Sequence, residues 1–428
     1  MDMPRGAGLK RRAFLILVAL VAFWLGGVLE FHYGAFAPSW VNAVLLYRQP
    51  QHGLDLAALQ DVFRTIQQYY VKPNPNAEKL TEGAASGMVG ALGDKFSRYL
   101  TPEEFAADNS FLQGTFAGIG TAVVQQNGKL QIDSVIAGTP AARAGLRVGD
   151  VITSVNGEST AGWTADQAVN RIRGKAGTHV VLGFQRGSQS FTKDLVREQI
   201  VVPSVSTHVF GRVLYMRIFD FGDRTASEFD QALQNGLKGQ VDRVILDLRD
   251  NPGGFVDAAN DVISEFVSKG TSTILVRRGG GRDVRKVTGD GHAFNAPLVV
   301  LINENTASAS EITAGAIKDH HRGELIGTKS FGKGSVQQDF KVRDGADLHL
   351  TIATWLTPDG HSINQVGITP DQTVTLANAD QQYAVDRTPN TFKQDAQLMA
   401  ALSRMGAAPV GLVDRPVATI ETYAGRHI

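Results

Sequence analysis

Short apolar runs alternate with helical patterns between Val201 and Val374, and this alternation constrains the fold more than any other feature of the chain. Strands that alternate with helices are typical of an α/β domain. We predict such a domain over 191–376, followed by a C-terminal tail over 377–428 with one helix around 391–405. The strand-length runs are VLYMRIFDF, RVILDLR and PLVVLI, and the helical patterns are SEFDQALQNGL, VDAANDVISEFV and ASEITAGAIKDH.

A compact α+β module precedes this domain, over residues 114–190. Its strand-length runs are GIGTAVVQ, KLQIDSVI, DVITSVNG and HVVLGFQR, with a helical pattern, TADQAVNRIRG, before the last. The ordered set Gly118-Ile119-Gly120, GTPAARAGL, VGD and VNG resembles a PDZ domain, although a strand containing glycines would explain the first triplet alone. The resemblance implies that a peptide adds to the module as a strand. Backbone N–H groups of the glycine-rich loop would then bind the C-terminal carboxylate of the peptide.

The N-terminal part of the chain begins with a basic cluster before a long uncharged run. The run AFLILVALVAFWLGGVL, from Ala13 to Leu29, follows Lys10, Arg11 and Arg12. At about 1.5 Å per residue it spans roughly 25 Å, enough for a thin bilayer core, and the basic cluster should stay in the cytoplasm. We predict a cytoplasmic stub and transmembrane anchor over 1–34. A cleaved signal peptide and a buried core helix are the alternatives.

A helical region is predicted to follow over residues 35–113. Apolar residues recur at spacings of three and four in LDLAALQDVFRTIQQYYV, prolines break the pattern at Pro73 and Pro75, and EKLTEGAASGMVGAL resumes it. The helical pattern extends to about Phe105.

Composition excludes several kinds of site. The chain has no cysteine, so disulfides, thiolate nucleophiles, iron–sulfur clusters and cysteine zinc sites are absent. Its 42 acidic residues balance 42 basic residues, which gives no net charge to attract nucleic acid. Any nucleophile must be a serine, threonine, lysine or carboxylate.

Two motifs stand between a predicted strand and a predicted helix. In DLRDNPGG, the glycines Gly253 and Gly254 would let backbone N–H groups face an approaching atom, although a simple strand-to-helix turn explains them equally well. In TASASE, Ser308 is either a helix N-cap with Glu311 as the capping-box glutamate or a nucleophile at a helix start. In the second case the N–H of Ala309 would be an oxyanion donor.

A third motif, GTKSFGKGSVQ, nearly matches a phosphate-binding loop. Gly334 follows Lys333 where that loop needs a serine or threonine for Mg²⁺, and the segment leads to a strand instead of a helix. A nucleotide site is therefore disfavoured.

Together these motifs resemble the C-terminal processing (tail-specific) serine proteases. The resemblance also includes EKLTEGAASGMVGALGDKFSRYLTPEEF upstream and TPDGHSINQVGITPD downstream, and it runs from about Leu54 to about Val374. One departure is visible, because Gln365 and Val366 stand where a glycine usually follows the asparagine. The resemblance implies a crotonase-like α/β protease core with an inserted α+β PDZ domain and a helical N-terminal region, and the apolar run adds one N-terminal transmembrane helix to this fold.

The resemblance also assigns roles to residues. The nucleophile is Ser308, the general base is Lys333, and Gln337 orients the lysine. The oxyanion hole uses the N–H of Ala309 and the glycine pair of DLRDNPGG, with Gly253 favoured over Gly254.

The chemistry of a serine–lysine pair is consistent with this assignment. A serine hydroxyl needs an adjacent base, and a lysine serves only when it is neutral. Lowering the pKa of a lysine from about 10.4 to about 7 costs on the order of 4.6 kcal/mol of burial. A glutamine can accept a hydrogen bond from the amine without adding a charge that would stabilise the ammonium.

The predicted activity is a membrane-anchored serine endopeptidase that recognises the C-termini of protein or peptide substrates. It implies no metal, no cofactor and no nucleic-acid partner. The catalytic part would lie in the periplasm of a bacterium, anchored in the inner membrane by Ala13–Leu29. Arg173, at the end of the PDZ helix, is predicted to sense bound substrate. A homo-oligomer formed through the N-terminal helices and a regulatory adaptor are left open.

Other functions remain as alternatives. A non-catalytic PDZ scaffold would need only the peptide groove, and a crotonase-type acyl-CoA enzyme would share the core but not the PDZ module. A Ser–His–Asp triad would use His320, His321 or His349, but the chain lacks the G-x-S-x-G pattern of such enzymes. Adjacent histidines on a helix do not converge on one metal, and RRGGGR is interpreted as an exposed hairpin turn.

Overall fold

The computed structural model describes residues 54–72, 74–126, 128–378, 381–382 and 391–407. The span predicted over Ala13–Leu29 lies outside these residues. No helix within the described ranges is long and apolar enough to cross a membrane.

Two helices open the described chain, which divides into a unit that ends at Thr81 and a unit that begins at Glu82. Helix α1 is Leu56–Tyr69, and helix α2 is Ala77–Gly90. The side chain of Asp55 caps α1 by accepting a hydrogen bond from the N–H of Ala58 at 3.1 Å. No residue of α1 is buried, so its apolar side chains are exposed.

The predicted helical region is interrupted by a short strand. Strand β1, Arg98–Leu100, precedes helix α3, Pro102–Leu112, and pairs antiparallel with Asp347–Leu356. The prediction that the helical pattern continues to about Phe105 is therefore wrong at this point. A strand of three residues shows little periodicity of its own, and its pairing partner lies far away in the sequence.

The PDZ module forms next. Five strands pair in the order β3-β4-β5-β7-β8, β6 pairs with β5, and β2 pairs with β9. Strand β3 is at the edge of its sheet. The elements of the PDZ module are β2 (Thr115–Gly118), β3 (Thr121–Gln126), β4 (Lys129–Val135), α4 (Pro140–Arg143), β5 (Val151–Val155), β6 (Glu158–Ser159), α5 (Ala165–Ile172), β7 (His179–Arg186), β8 (Gln189–Val196) and β9 (Glu198–Val201).

A six-stranded sheet forms the centre of the α/β domain, in the order β10-β11-β12-β15-β16-β19. Strand β10 is antiparallel to β11, and the remaining neighbours are parallel. The elements through β16 are β10 (Val205–Phe210), β11 (Val213–Ile218), α6 (Thr225–Gly236), β12 (Arg243–Asp247), α7 (Val256–Ser264), β13 (Thr271–Arg277), β14 (Arg282–Lys286), β15 (Leu298–Ile302), α8 (Ala309–Asp319) and β16 (Glu324–Gly327).

A second sheet lies in the same domain. It has the order β1-β18-β13-β14, and β17 pairs with β18. The hairpin predicted at RRGGGR is confirmed, because β13 and β14 are antiparallel neighbours joined through a turn at Arg278–Gly280. The remaining strands of the domain are β17 (Ser335–Lys341), β18 (Asp347–Leu356) and β19 (Gln372–Thr373).

The central sheet is covered on both faces. Successive strand residues point to opposite faces, so Leu214 and Leu246 pack with helices α6 to α8 while Tyr215 and Ile245 face the other way. The second face is covered by a 3₁₀ turn at Thr391–Gln394 and by helix α9, Ala396–Arg404.

The C-terminal helix is therefore part of the α/β domain. The predicted helix around 391–405 is confirmed, but its assignment to a separate tail over 377–428 is corrected, because Leu398, Ala401 and Leu402 are fully buried against the sheet. The sequence could not show this, because the apolar face of a helix does not indicate which sheet it will cover.

Candidate active site

The DLRDNPGG motif leaves the end of β12 as a buried, hydrogen-bonded loop. The side chain of Asn251 donates to the carbonyl of Ile218 at 2.9 Å and accepts from the N–H of Gly253 at 2.9 Å. The backbone carbonyl of Asn251 accepts from the N–H of Ala307 at 3.0 Å. Asn251 thus fixes the glycine pair directly beside the TASASE motif.

Ser308 stands between β15 and α8 in a strained conformation. Its φ of 55° and ψ of −118° lie outside the regions that a residue with a Cβ normally adopts. Its N–H donates to Oε2 of Glu311 at 3.0 Å, which confirms the backbone half of the predicted capping arrangement. Strain of this kind clusters at functional sites, where surrounding contacts must hold it.

Free backbone donors lie next to Ser308. Ala309 is the first residue of α8, so its N–H has no partner inside the helix. A Cβ added to Gly253, where φ is 102°, would stand 2.7 Å from Ser308 Cβ and 2.9 Å from the nitrogen of Ala309. The absence of a side chain at Gly253 therefore keeps open the space between the two motifs.

The two glycines differ in what their N–H groups do. Gly253 donates to Asn251. Gly254 and Ala309, by contrast, have N–H groups for which the described part of the chain provides no hydrogen-bond partner. The expectation that favoured Gly253 as the oxyanion donor is thus not supported by the hydrogen bonding in this arrangement, because the asparagine side chain already occupies that donor.

Lys333 lies half-buried in the loop between β16 and β17. Its N–H donates to Glu311 Oε2 at 2.8 Å, and its carbonyl accepts from the indole N–H of Trp355 at 3.0 Å. Burial lowers the pKa of the Lys333 amine, and the charge of Arg98 lowers it further, while Asp94 and Glu311 act in the opposite direction. A general base must be unprotonated, and a lowered pKa increases the fraction of lysine in the neutral form.

Glu311 connects the two catalytic candidates. It is fully buried, and its carboxylate accepts four hydrogen bonds. Oε2 accepts from the N–H groups of Ser308 and Lys333, and Oε1 accepts from the hydroxyl of Ser330 at 2.5 Å and the N–H of Gly332 at 2.7 Å. The sequence predicted Glu311 only as a helix-capping residue and missed its contact with the Lys333 loop.

Gln337 does not contact the lysine amine in this structure. Its amide donates to the hydroxyls of Ser335 at 2.9 Å and Thr351 at 3.0 Å. Among the hydrogen bonds of the described residues, none joins the Lys333 amine to Ser308 or to Gln337. The structure therefore brings the backbones of Ser308 and Lys333 together through Glu311 without a direct bond between their side chains.

A cavity of about 480 Å³ opens beside this site. Phe255 and Val256, which follow the glycine pair, form part of its lining, and Val336 and Gln337 of β17 form another part. Leu275 and Ile352 extend the apolar surface. Charged side chains, among them Asp257 and Arg285, form much of the remaining lining, so the cavity is an open groove with a mixed surface.

The predicted peptide-binding residues lie at one edge of the PDZ module. The carbonyl of Ile119 accepts from Ala141 at 2.9 Å, and Gly120, with φ 84°, stands against the side chain of Thr139. Within the described residues β3 pairs only with β4, so its other edge is available for an added strand. The guanidinium of Arg173 lies 5.1 Å from the ring centroid of Phe116, on the strand that ends at Gly118.

Two of the three histidines considered for a triad, His320 and His349, have other partners. His320 caps the C-terminus of α8 and bonds to the carbonyl of Thr271 at 2.7 Å, and His349 bonds to Asp339 at 2.5 Å. In the described ranges two groups of side chains have a spacing that could hold a cation, and both lie at least partly exposed on the surface. They are Asp230 with Glu265 and His292, and Asp319 with Asp359 and His361.

Comparison with known proteins gives three family matches. Residues 212–374 match peptidase family S41, residues 131–186 match a PDZ domain, and residues 46–104 match the N-terminal domain of the activating protease CtpB. The three matches follow one another along the chain in the order that the sequence motifs predict.

Curated relatives are consistent with these matches. A probable CtpA-like serine protease of Staphylococcus aureus (strain MRSA252) is 37% identical over 341 residues, which cover 79% of this chain and 68% of the relative. One from Staphylococcus epidermidis is 36% identical, over 75% of this chain and 66% of the relative.

Two solved structures resemble the chain. The crystal structure of a putative S41 protease from Bacteroides fragilis is 18% identical, with a TM-score of 0.54 over 84% of this chain and 99% of that one. The photosystem II D1 C-terminal processing protease is 29% identical, with a TM-score of 0.47 over 73% of this chain and 86% of that one. The chain has the S41 peptidase fold with a PDZ domain and belongs to the C-terminal processing serine proteases.

Proposed function

We propose that the chain is an endopeptidase that uses Ser308 as nucleophile and Lys333 as general base. The observation that carries this proposal is the buried carboxylate of Glu311, which accepts hydrogen bonds from the backbone N–H groups of both residues. A strained serine with unpaired N–H donors beside it and a half-buried lysine with a lowered pKa are what acyl transfer by a serine–lysine pair requires.

The reaction would proceed in two stages. The neutral amine of Lys333 takes the proton of the Ser308 hydroxyl as Oγ attacks the scissile carbonyl, and the N–H groups of Ala309 and Gly254 stabilise the resulting oxyanion. The ammonium then gives its proton to the leaving amine, which leaves an acyl-enzyme. Water deacylates it, with Lys333 again as the base.

Direct contact between the two side chains would need a change from this arrangement. The amine must leave its present position to reach Ser308, and Gln337 would then accept a hydrogen bond from it. We propose that a peptide bound to the PDZ module brings about this change, and that Arg173 senses it through its contact with Phe116. The free edge of β3 supports binding of a substrate C-terminus as an added strand.

The setting of the enzyme is also a proposal. The run Ala13–Leu29 after a basic cluster supports a single inner-membrane span in a bacterium, with a crotonase-like core and the PDZ domain in the periplasm, where exported proteins would be cleaved. The exposed apolar side chains of α1, including Leu56, Leu59 and Val62, support a homo-oligomer formed through the N-terminal helices. A regulatory adaptor could act on the same catalytic arrangement.

Cleavage of an unfolded test protein by the full chain in detergent tests the catalytic assignment. We expect Ser308→Ala and Lys333→Ala to abolish cleavage. The matched controls Ser227→Ala, on an exposed serine of α6, and Lys329→Ala, on an exposed lysine of the same loop, should cleave at the parent rate.

Two further outcomes have clear meanings. Equal cleavage by the parent and both catalytic variants would refute the serine–lysine assignment. Binding of a peptide with a free C-terminus, without cleavage under any condition, would favour the alternative of a non-catalytic PDZ scaffold at the membrane.

A further inference from the structure

A tight turn at Asp94–Ser97 lies against the catalytic domain near Lys333. The carboxylate of Asp94 accepts from the N–H of Phe96 at 3.0 Å and from the hydroxyl of Ser97 at 2.6 Å. The hydroxyl of Ser97 in turn accepts from the N–H of Thr351 on β18 at 3.0 Å, and Ser97 is buried. These bonds hold the backbone of the turn on both sides of Phe96.

The Phe96 ring lies over the amine of Lys333. The distance from Nζ to the ring centroid is 5.0 Å, within the range in which a cation is attracted to the face of an aromatic ring. The described residues provide no hydrogen bond to this amine, and the charged groups that act on it are Arg98, Asp94 and Glu311. The amine of Lys95 lies 4.9 Å from the same ring centroid, so the Phe96 ring is shared between two lysines. The amine points at Phe96, which the sequence did not connect to the catalytic loop.

The same residue of β18 holds both the turn and Gln337. The backbone N–H of Thr351 donates to Ser97, and its hydroxyl accepts from the amide of Gln337 at 3.0 Å. Gln337 and the turn that carries Phe96 are therefore both hydrogen-bonded to the same residue of β18.

We propose that Phe96 is a positioning residue for the general base, whose ring holds the protonated Lys333 amine away from Ser308. The proposal rests on the proposed function, since it takes Lys333 to be the base. Only the ammonium is attracted to the ring, because the attraction is electrostatic. Loss of the proton therefore releases the amine from Phe96, so that deprotonation of Lys333 and its approach to Ser308 are coupled.

The coupling has a defined sign. The ring stabilises the charged amine, so replacing the ring by an aliphatic side chain of similar size should lower the pKa of Lys333 while keeping the site apolar. The strength typical of a cation–ring contact corresponds to a decrease of about 0.4 to 1.5 pH units. At a pH below both pKa values, the fraction of neutral Lys333 should rise by about 2.5-fold to 30-fold.

Two measurements on the full chain in detergent test whether Phe96 raises the pKa of Lys333. Lysine amines labelled as ¹³C-dimethyl groups are titrated by NMR, with the Lys333 signal assigned by its loss in Lys333→Arg. The pH dependence of kcat/KM is followed separately. Phe96→Leu and Phe96→Met should lower both the titration midpoint and the acid limb of the profile, whereas Phe96→Tyr, which keeps the ring, should retain the parent values.

The control and the contrary results are equally defined. Phe340→Leu, on an exposed phenylalanine of β17, should leave the titration unchanged. The proposal is refuted if Phe96→Leu and Phe96→Met shift the Lys333 midpoint by less than about 0.2 pH unit, or if Phe96→Tyr shifts it as much as they do. The titration needs no substrate, so it tests the contact with Phe96 even if the protein cleaves nothing. Absence of cleavage would refute the proposed function only.

Discussion

Replacing Glu311 by glutamine should destabilise the protein and weaken the link between the loops that carry Ser308 and Lys333. The carboxylate accepts four hydrogen bonds in a fully buried position. In Glu311→Gln one oxygen becomes an NH₂ group, which cannot accept. If the NH₂ faces Ser330, the serine hydroxyl can turn to accept from it, but the N–H of Gly332 then has no partner.

The magnitude follows from these bonds. One buried donor without a partner costs about 1 to 3 kcal/mol, and two bonds to a charged acceptor become bonds to a neutral one at a loss of about 0.5 to 1.5 kcal/mol each. We therefore expect Glu311→Gln to lower the free energy of unfolding by about 2 to 6 kcal/mol. Cleavage should fall at temperatures where the variant is still folded, because the N–H groups of Ser308 and Lys333 are then held by a neutral oxygen and the N–H of Gly332, next to Lys333, has no partner.

Urea unfolding followed by circular dichroism, together with cleavage assays, provides the measurement. Glu304→Gln is the matched control, because the carboxylate of Glu304 is exposed and accepts one hydrogen bond, from the hydroxyl of Thr328 at 2.7 Å. It should cost less than about 1 kcal/mol. A loss below about 1 kcal/mol in Glu311→Gln, with cleavage at the parent rate, would refute the argument.

Three further predictions follow from the site and its support. Burial lowers the pKa of Lys333, so kcat/KM should rise with pH along an acid limb whose midpoint lies below the ordinary lysine pKa of about 10.4. The free energy of unfolding should also rise with pH between the folded and the unfolded pKa of Lys333, because the unfolded chain binds more protons there. A midpoint of the kcat/KM profile at or above about 10.4 would contradict this prediction. Gly253→Ala should reduce kcat at least about 100-fold, because the added Cβ meets Ser308; unchanged kcat would show that the loop moves aside without cost. Asp395→Asn should lower the free energy of unfolding, measured by urea unfolding, by about 3 kcal/mol, because the buried Arg249 loses a charged partner. Asp242→Asn, in an exposed ion pair, should cost less than about 1 kcal/mol. Equal losses in the two variants would refute the argument that burial sets the cost.

The parts of the fold that the sequence predicted are those with local signals. The hairpin at RRGGGR, the helix that begins after Ser308 and the strand-length runs of the central sheet each depend on residues close together in the chain. The expected departure at Gln365 also has a local explanation. Its φ of 59° is a left-handed conformation, which explains why a glycine is usual after the asparagine at this place.

The parts that the sequence missed depend on contacts between distant residues. Glu311 has the spacing of a capping residue, and nothing local indicates that its other bonds go to residues after Gly327. Phe96 and Lys333 are more than two hundred residues apart, and a cation–ring contact leaves no periodic pattern. The site of helix α9 was missed for the same reason, because its apolar face gives no indication of which sheet it will cover.

The buried ion pair beneath the glycine loop has a consequence for the order in which the enzyme becomes competent during synthesis. Arg249 lies two residues before Asn251 and is fully buried, with Asp247 at 2.6 Å on one side and Asp395 at 2.9 Å on the other. A ribosome supplies Asp395 and helix α9 almost 150 residues after Arg249. A nascent chain that already contains Ser308 and Lys333 therefore still lacks one support of its glycine loop, so we expect no cleavage of neighbouring unfolded chains before helix α9 has docked.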